Sequence, residues 1–313
     1  MKKRLVLFIA LVFLIAGCTG LGKSNNSKDD SAFVGGTKAI SLAFAADEPP
    51  AKVLDDNQEE FFITLLLKNE GEFTIPKGRI LASLSGISKE AFSLSSLSVK
   101  SDFDLERVRK DANVLQAGGT EELSFGKAKY KSDLPADFDT DLRANICYDY
   151  ETQAVASICL KKNPLERATE DSCLVDNQAI KVQNSGAPVQ VVAFRQRPTS
   201  GNKISVSFDV SNKGIGKAYS PSTFTDICKE MEDNSDMIEV SLTSASDKMK
   251  ISCSKFGNSN KGIVRLVNNI KTVSCDIDTS SMQETSFSDF IIVKMKYMYR
   301  DVISVPITIQ DAQ

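Results

Sequence analysis

Apolar and polar residues alternate along most of the chain after Phe33. In KISVSFDV (203–210) every second residue is apolar, and the segment Asn212-Lys213-Gly214 that follows is typical of a turn. FFITLLLKNEGEFTI (61–75) has a similar plan around an Asn-Glu-Gly turn. Alternation with a period of two predicts antiparallel sheets with one buried face. Long amphipathic helices are absent from the pattern, so we predict an all-β protein.

Two features recur at nearly the same spacing and predict a duplicated module. The segment ICYDYETQAVASICL begins at Ile146, and MKYMYRDVISVPITI begins at Met295. We interpret each as a Tyr-x-Tyr pair followed by a polar turn and a closing strand; the tyrosines are Tyr148, Tyr150, Tyr297 and Tyr299. The alternative is that all antiparallel sandwiches share such patterns. The tyrosines are expected to pack in a core or between domains rather than to form an exposed aromatic binding stripe.

The duplication predicts two tandem immunoglobulin-like antiparallel β-sandwich domains, at residues 33–162 and 187–313. The segment 163–186 between them is charged, contains Pro164 and is expected to be a linker. Each module has the size of an immunoglobulin-type sandwich with long loops. The chain has no Trp, so it lacks the Cys-Trp-Cys packing of antibody domains.

The N-terminus has the charged, apolar and small-residue order of a secretory signal. Its apolar run, Leu5 to Ala16, has 12 residues, whereas a bilayer span needs about 20. Ile15-Ala16-Gly17-Cys18 resembles the lipobox of prokaryotic lipoproteins, which implies cleavage before Cys18 and lipid attached to this residue. We therefore expect a signal peptide (1–17), a lipidated flexible tether (18–32) and an extracytoplasmic protein anchored to the cell membrane. An ordinary signal peptide with a chance cysteine and an uncleaved anchor are the alternatives. The tether also contains a glycosylation sequon at Asn25.

Composition narrows the classes of function. Removal of residues 1–17 leaves 35 basic and 41 acidic side chains, a net charge of −6 without a basic stripe, so no nucleic-acid partner is expected. The chain contains no His, which excludes Ser-His-Asp and Cys-His catalysis and His-ligated zinc. No nucleophile–base pair has supporting spacing. We expect neither a cofactor nor an enzyme activity.

Six cysteines remain after Cys18, and an even number in an exported chain predicts three disulfides. They are Cys147, Cys159, Cys173, Cys228, Cys253 and Cys275. If residues 147 and 159 flank a hairpin centred on Gln153, these two cysteines face each other across it. We also pair Cys253 with Cys275, which leaves Cys173 for Cys228. No CxxC pairs are present, which argues against zinc.

Acidic loops offer a weak metal candidate. Asp137, Asp139 and Asp141 form a D-x-D-x-D series that could supply oxygen ligands for calcium. An EF-type loop would need Gly at position six and Glu at position twelve, where this chain has Leu142 and Tyr148. A solvated acidic loop is therefore the favoured interpretation. The second acidic cluster, EMEDNSD (230–236), is interpreted in the same way.

The chain resembles a group of uncharacterised surface proteins from small-genome archaea. The resemblance covers nearly the whole mature chain and is carried by the early Gly-Gly pair, Pro49-Pro50, the Asn-Glu-Gly turn and the two Tyr-x-Tyr segments. At fold level, the second module also resembles adhesion-related sandwich domains. These similar proteins have no assigned activity to carry over. The lipobox, the polar tether, the tandem strand-rich modules and the expected disulfides instead predict a lipid-anchored surface protein with a binding, adhesion or envelope-organising role and a protein or glycan partner. A carboxylate-based envelope hydrolase and a solute-binding lipoprotein of a transporter are the alternatives.

Overall fold

The structure is a computed structural model that describes residues 31–111, 114–166, 173–221, 234–246 and 249–312. It confirms the all-β class with antiparallel sheets. Residues Ala32–Gln313 form one compact unit. Within the described ranges, no helix is long and apolar enough to cross a membrane.

Among the described residues, nine strands come from the first half of the chain and ten from the second. The first nine are β1 (Ile40–Phe44), β2 (Lys52–Leu54), β3 (Phe61–Asn69), β4 (Ile80–Ser85), β5 (Ser98–Lys100), β6 (Arg109–Asp111), β7 (Val114–Gln116), β8 (Thr120–Ala128) and β9 (Phe138–Lys161). The others are β10 (Ala179–Ile180), β11 (Val182–Asn184), β12 (Val189–Thr199), β13 (Lys203–Asn212), β14 (Lys217–Tyr219), β15 (Met237–Ser244), β16 (Lys250–Cys253), β17 (Lys261–Arg265), β18 (Ile270–Asp278) and β19 (Ser286–Gln310).

Each half has a small antiparallel sheet of its own, and both halves contribute to one large sheet. In the first half, β6 and β7 also form a separate two-stranded sheet. The small sheets have the orders β1-β3-β8 and β10-β12-β13-β18-β16. The large sheet has the order β17-β15-β19-β9-β4-β5, with β2, β11 and β14 paired at its margins. The predicted alternation is present: β3 and β13 each bury one set of apolar residues, including Leu65 and Phe208, in a core cluster shared by both halves.

β9 and β19 pair antiparallel from Ser286, opposite Lys161, to Ile309, opposite Phe138. The turns predicted after the two Tyr-x-Tyr pairs are therefore wrong, because each segment continues as one strand of 24 or 25 residues. The polar residues that suggested a turn find partners within the fold. Thr152 donates a 2.7 Å hydrogen bond to the Val189 carbonyl. No Gly or Pro interrupts β9 where a reversal was expected.

The pairing reveals an approximate two-fold axis between the halves. Tyr148 lies opposite Tyr299, and Tyr150 lies opposite Tyr297. On one side of the central strand pair follow β4 and β5, and on the other side follow β15 and β17. In the small sheets, β1-β3-β8 has the same order as β12-β13-β18. The repeat found in the sequence is thus also a repeat in the fold.

The two Asn-x-Gly turns repeat in atomic detail. The Asn69 amide donates to the Phe73 carbonyl at 2.8 Å and accepts from the Gly71 N–H at 3.0 Å. Asn212 bonds Gly216 and Gly214 in the same way, at 2.9 and 3.1 Å. A Cβ atom at either turn glycine would collide with a tyrosine hydroxyl, that of Tyr150 or Tyr299. Only glycine, which has no Cβ atom, lets these tyrosine side chains come so close to the turn.

Both predicted modules, 33–162 and 187–313, belong to this one compact unit. The predicted linker, 163–186, contains two short strands: β10 pairs with β12, and β11 pairs with β9. Residues 167–172 of that segment lie outside the described residues. That residues 33–162 and 187–313 are two separate domains therefore stays a prediction.

The disulfides correct part of the predicted pairing. Cys159 is bonded to Cys173, so the predicted bridges Cys147–Cys159 and Cys173–Cys228 are wrong. Without a hairpin, Cys147 and Cys159 lie in the same strand, and their separation of twelve residues corresponds to about 40 Å. Cys147 is disulfide-bonded as well, and Cys228 lies outside the described residues.

The predicted Cys253–Cys275 bridge is confirmed. Its cysteines lie directly opposite each other in the antiparallel pair β16–β18. Both residues are buried in the core of the second half. The bridge therefore ties the edge strand β16 to its neighbour β18 in the small sheet.

Candidate functional site

A groove lies between the beginning of β1 and the C-terminal half of β19. We call it the β1–β19 groove. Its volume is about 350 Å³, and its walls include Ile40, Leu42, Ile215, Asp301 and Ile303. Ile215, on the second Asn-x-Gly turn, is fully exposed. Exposed apolar side chains around a concave surface are typical of a binding site.

The symmetry-related position in the other half is filled. There, Ser185 exchanges two hydrogen bonds with Gln153 of β9, one from its backbone N–H at 2.8 Å and one through its hydroxyl at 2.9 Å. The Gly186 carbonyl accepts from the Tyr150 hydroxyl at 3.2 Å. β11 continues this contact by pairing with Ala154–Ala156. The chain that leads into β12 thus covers the side of β9, whereas the side of β19 has an open groove.

Glu72 explains why the two positions differ. Its carboxylate accepts backbone N–H bonds from Val34 at 2.9 Å, Gly35 at 2.8 Å and Gly186 at 2.7 Å. The segment leading into β1 is therefore held beside Glu72 in the first half and does not cover β19. The corresponding residue of the second turn is Ile215, which cannot accept such bonds.

Asp301 is the acidic group in the wall of the groove, whose lining also includes Lys38 and Lys213. Its carboxylate accepts a 2.7 Å hydrogen bond from the Tyr148 hydroxyl. Burial raises the pKa of Asp301 above its ordinary value, although the hydrogen bond from Tyr148 acts in the opposite direction. Burial also raises the pKa of Tyr148, and the charge of Asp301 adds to this effect. Tyr148 thus remains the donor, and burial makes the charged form of Asp301 more costly in the fold than in water.

The raised pKa of Asp301 predicts that ionisation of this carboxyl lowers the stability of the fold. Since the fold disfavours the charged carboxylate, the contribution of Asp301 to stability should fall as pH rises from its pKa in the unfolded chain through its raised pKa in the fold. Asp301→Asn removes this charge and keeps an oxygen that can accept from Tyr148. The variant should therefore gain stability relative to wild type as pH rises from about 3 to 8, as measured by urea unfolding at each pH.

Phe103→Ala is the control, because Phe103 is exposed and its side chain does not ionise. Its stability relative to wild type should not change with pH. A difference between Asp301→Asn and wild type that stays constant across this pH range would contradict the assignment.

The candidate metal ligands do not converge. Asp137 accepts a bond from the Asp311 N–H at 3.2 Å, and Asp139 accepts one from the Thr308 hydroxyl at 2.7 Å. Among the described residues these two and Asp141 form no ligand cluster; the acidic group found has Asp55, Asp133 and Asp311 within 4.8 Å of one another. Both Asp55 oxygens already accept backbone N–H bonds, from Leu134 and Ala312. This group therefore fastens chain segments together.

The four tyrosines lie in the core, as the sequence predicted. All are at most 2% exposed, and neighbouring rings lie 5.9–6.2 Å apart. Their hydroxyls have partners within the protein: Asp301, Gly186, Thr152 and Asn212. The alternative of an exposed aromatic binding stripe is therefore wrong.

The sequence did not single out Glu72, Ile215 or Asp301. The available signal was a comparison of the two repeated turns, NEGEF and NKGIG, which places an acid in one and an apolar residue in the other. Cys18 and Asn25 lie outside the described residues, as does most of the 230–236 cluster. Comparison with protein-family models gave no match, and no curated protein matches the sequence significantly.

Proposed function

We propose that the protein is a non-enzymatic, lipid-anchored binding protein on the outer side of the cell membrane, and that it holds a protein partner in the β1–β19 groove. The observation that carries the proposal is the groove itself, which is open beside β19 while the chain fills the related position beside β9. An exposed Ile215 at its rim supports contact with a partner.

The proposed location rests on the N-terminal pattern and on the disulfides. The basic cluster, the short apolar run and Cys18 support export and lipidation. Two described disulfides fit an oxidising, extracytoplasmic compartment. The proposal leaves residues 18–32 as the lipidated tether between the membrane and the folded unit.

The groove favours a protein partner over the other candidates. Its walls combine apolar side chains with two lysines, Lys38 and Lys213, and with the Asp301 carboxyl, which is already hydrogen-bonded to Tyr148. Such a surface suits an amphipathic polypeptide better than a glycan. A transporter's solute-binding protein needs a cleft between two α/β lobes, and the all-β fold does not support that alternative.

Membrane attachment is tested by Cys18→Ser in the full-length protein. We expect the variant to appear in the soluble fraction or to accumulate as uncleaved precursor, because the lipids implied at Cys18 would be lost. Ser24→Ala, in the tether, is the control and should remain with membranes. If the Cys18→Ser protein is processed at the same site and still fractionates with membranes, lipidation is not the anchor.

The groove is tested by site-specific photo-crosslinking on intact cells. A photoreactive residue at Ile215 should form a discrete adduct with another protein. The same residue at Phe103, which is 71% exposed and lies outside the groove, is the control and should not form that adduct. The same adducts from both positions, or none from Ile215, would contradict the proposed binding site.

A further inference from the structure

The open groove exposes a free strand edge, and the structure shows how the related edge is covered. We infer that β19 binds an extended segment of a partner protein as an added antiparallel strand along Val302–Pro306. This inference rests on the proposed binding function and names the class of partner. The added strand would close the second half in the way that β11 closes the first.

The backbone groups available for pairing follow from the neighbouring strands. On the edge opposite β9, β14 pairs with β19 up to Arg300, and β2 pairs from Thr308 onward. The Thr308 N–H donates to Ala51 at 3.0 Å on that side. Since alternate residues of a strand direct their N–H and C=O groups to the same edge, Val302, Ser304 and Pro306 face it too.

This stretch has no strand partner on that edge among the described residues. Val302, Ser304 and Pro306 are exposed. Pro306 has no N–H to leave unpaired, which is typical of an edge strand. Val302 and Ser304 therefore provide both N–H and C=O groups, and Pro306 provides a C=O group, for an incoming chain.

β11 is the template for the added strand. Gln183 lies opposite Val155, and Asn184 lies opposite Ala154. The Asn184 side chain also accepts from the N–H of Val191 at 2.8 Å and donates to its carbonyl at 2.9 Å. β11 thus bridges the large sheet and the edge of the small sheet.

The approximate two-fold symmetry gives the residues of the groove that are equivalent to those that β11 contacts. Val155 corresponds to Ser304, Ala154 to Ile303, and Val191 to Leu42, each at an offset of 149 residues. An incoming strand would pair with Ser304 and place its next residue opposite Ile303. An asparagine at that second position would reach the Leu42 backbone. The favoured ligand is therefore an extended segment of the form Val-x-Asn.

The two segments of this chain that could pair with β19 in this way already have partners. β11 pairs with β9, and the related segment Phe33–Gly35 is held through its backbone by Glu72. A second copy would have the same two segments engaged. The occupant favoured by the described structure is therefore a different polypeptide, which gains main-chain hydrogen bonds by strand addition and specificity from alternate side chains.

The probe is a fluorescent peptide with the sequence of residues 180–186, IKVQNSG, which occupies the related position. Its affinity is measured by anisotropy with the full chain in detergent. Ser304→Pro removes the N–H that must pair with the peptide and should weaken binding at least about tenfold. Ser304→Ala keeps this N–H and should bind like wild type. Thermal unfolding of both variants verifies their folding.

A second measurement leaves the protein unchanged. Methylation of the backbone nitrogen of the peptide's glutamine should weaken binding to wild type by a similar factor, since the backbone N–H of this residue is opposite Ser304 in the proposed register. Replacement of the peptide asparagine by leucine should also weaken binding. No peptide binding, or equal affinities for the methylated and unmethylated peptides, would overturn the inference.

Self-association distinguishes a second copy from a partner. Dimerisation without peptide that is abolished by Ser304→Pro would overturn the assignment to a different polypeptide. An Ile215 adduct on cells that persists in Ser304→Pro would overturn strand addition but leave the proposed binding function intact. Loss of that function would appear instead as a missing adduct in the wild-type background.

Discussion

Replacing Tyr297 by alanine is expected to lower the free energy of unfolding by about 3–5 kcal/mol. The side chain is 1% exposed and lies at the junction of the two halves. Its ring is 6.2 Å from that of Tyr150 and 6.0 Å from that of Tyr299. Its hydroxyl forms a 2.9 Å hydrogen bond with Thr152. Alanine would leave a cavity between strands of both halves, and the surrounding long strands cannot collapse into it.

Urea unfolding followed by circular dichroism measures this loss. Tyr297→Phe keeps the ring and should cost only about 1–2 kcal/mol through the lost hydrogen bond. Phe103→Ala, at a position that is 71% exposed, should change stability by no more than about 0.5 kcal/mol. A loss below about 1 kcal/mol for Tyr297→Ala would contradict the buried junction.

Removal of the Cys253–Cys275 bridge is expected to cost about 3 kcal/mol. The bridge closes a loop with a sequence separation of 22 residues, and a cross-link of this size limits the conformations of the unfolded chain. The double variant Cys253→Ala/Cys275→Ala avoids leaving a buried thiol or hydroxyl. Its unfolding midpoint in urea should be lower than that of wild type when both are measured without reductant.

The Cys159–Cys173 pair provides the comparison, since it has a separation of 14 residues. Its double alanine variant should cost slightly less, because the stabilisation grows slowly with loop length. Non-reducing peptide mapping should recover both bridges. A peptide that joins Cys147 to Cys159 would contradict the continuous strand β9, and an unchanged midpoint in the Cys253/Cys275 variant would contradict the loop argument.

Local patterns in the sequence predicted the strands well. The alternating apolar residues of β3 and β13 form buried faces, because burial of one sheet face is a local property of alternation. The duplication was also visible, since the Asn-x-Gly turns and the Tyr-x-Tyr pairs recur. Burial of the tyrosines was predicted because tyrosine is common in sheet cores and interfaces.

The continuous course of β9 and β19 could not be predicted in the same way. The polar residues near Thr152 resemble a turn until the partners from the other half are known. Ser185 and Val189 supply those partners from more than 30 residues away. The false hairpin led directly to the false Cys147–Cys159 bridge, so a single missed long-range contact caused both errors.

The groove was missed for a related reason. Its existence depends on where the segments before β1 and β12 dock, which no periodicity encodes. The decisive difference is the carboxylate of Glu72, which holds two backbone N–H groups of the first segment. The related Ile215 offers no such acceptor. Recognition of this site requires comparison of the halves in three dimensions.

The central claim is that one position is filled beside β9 and open beside β19. Hydrogen exchange of individual backbone amides, resolved by NMR in the full chain, tests it most directly. The amides of Gln153 and Val155 should be protected by Ser185 and β11, whereas those of Val302 and Ser304 should exchange at least about 100-fold faster. Equal protection at these symmetry-related positions would show that the edge of β19 is already covered and would contradict the account.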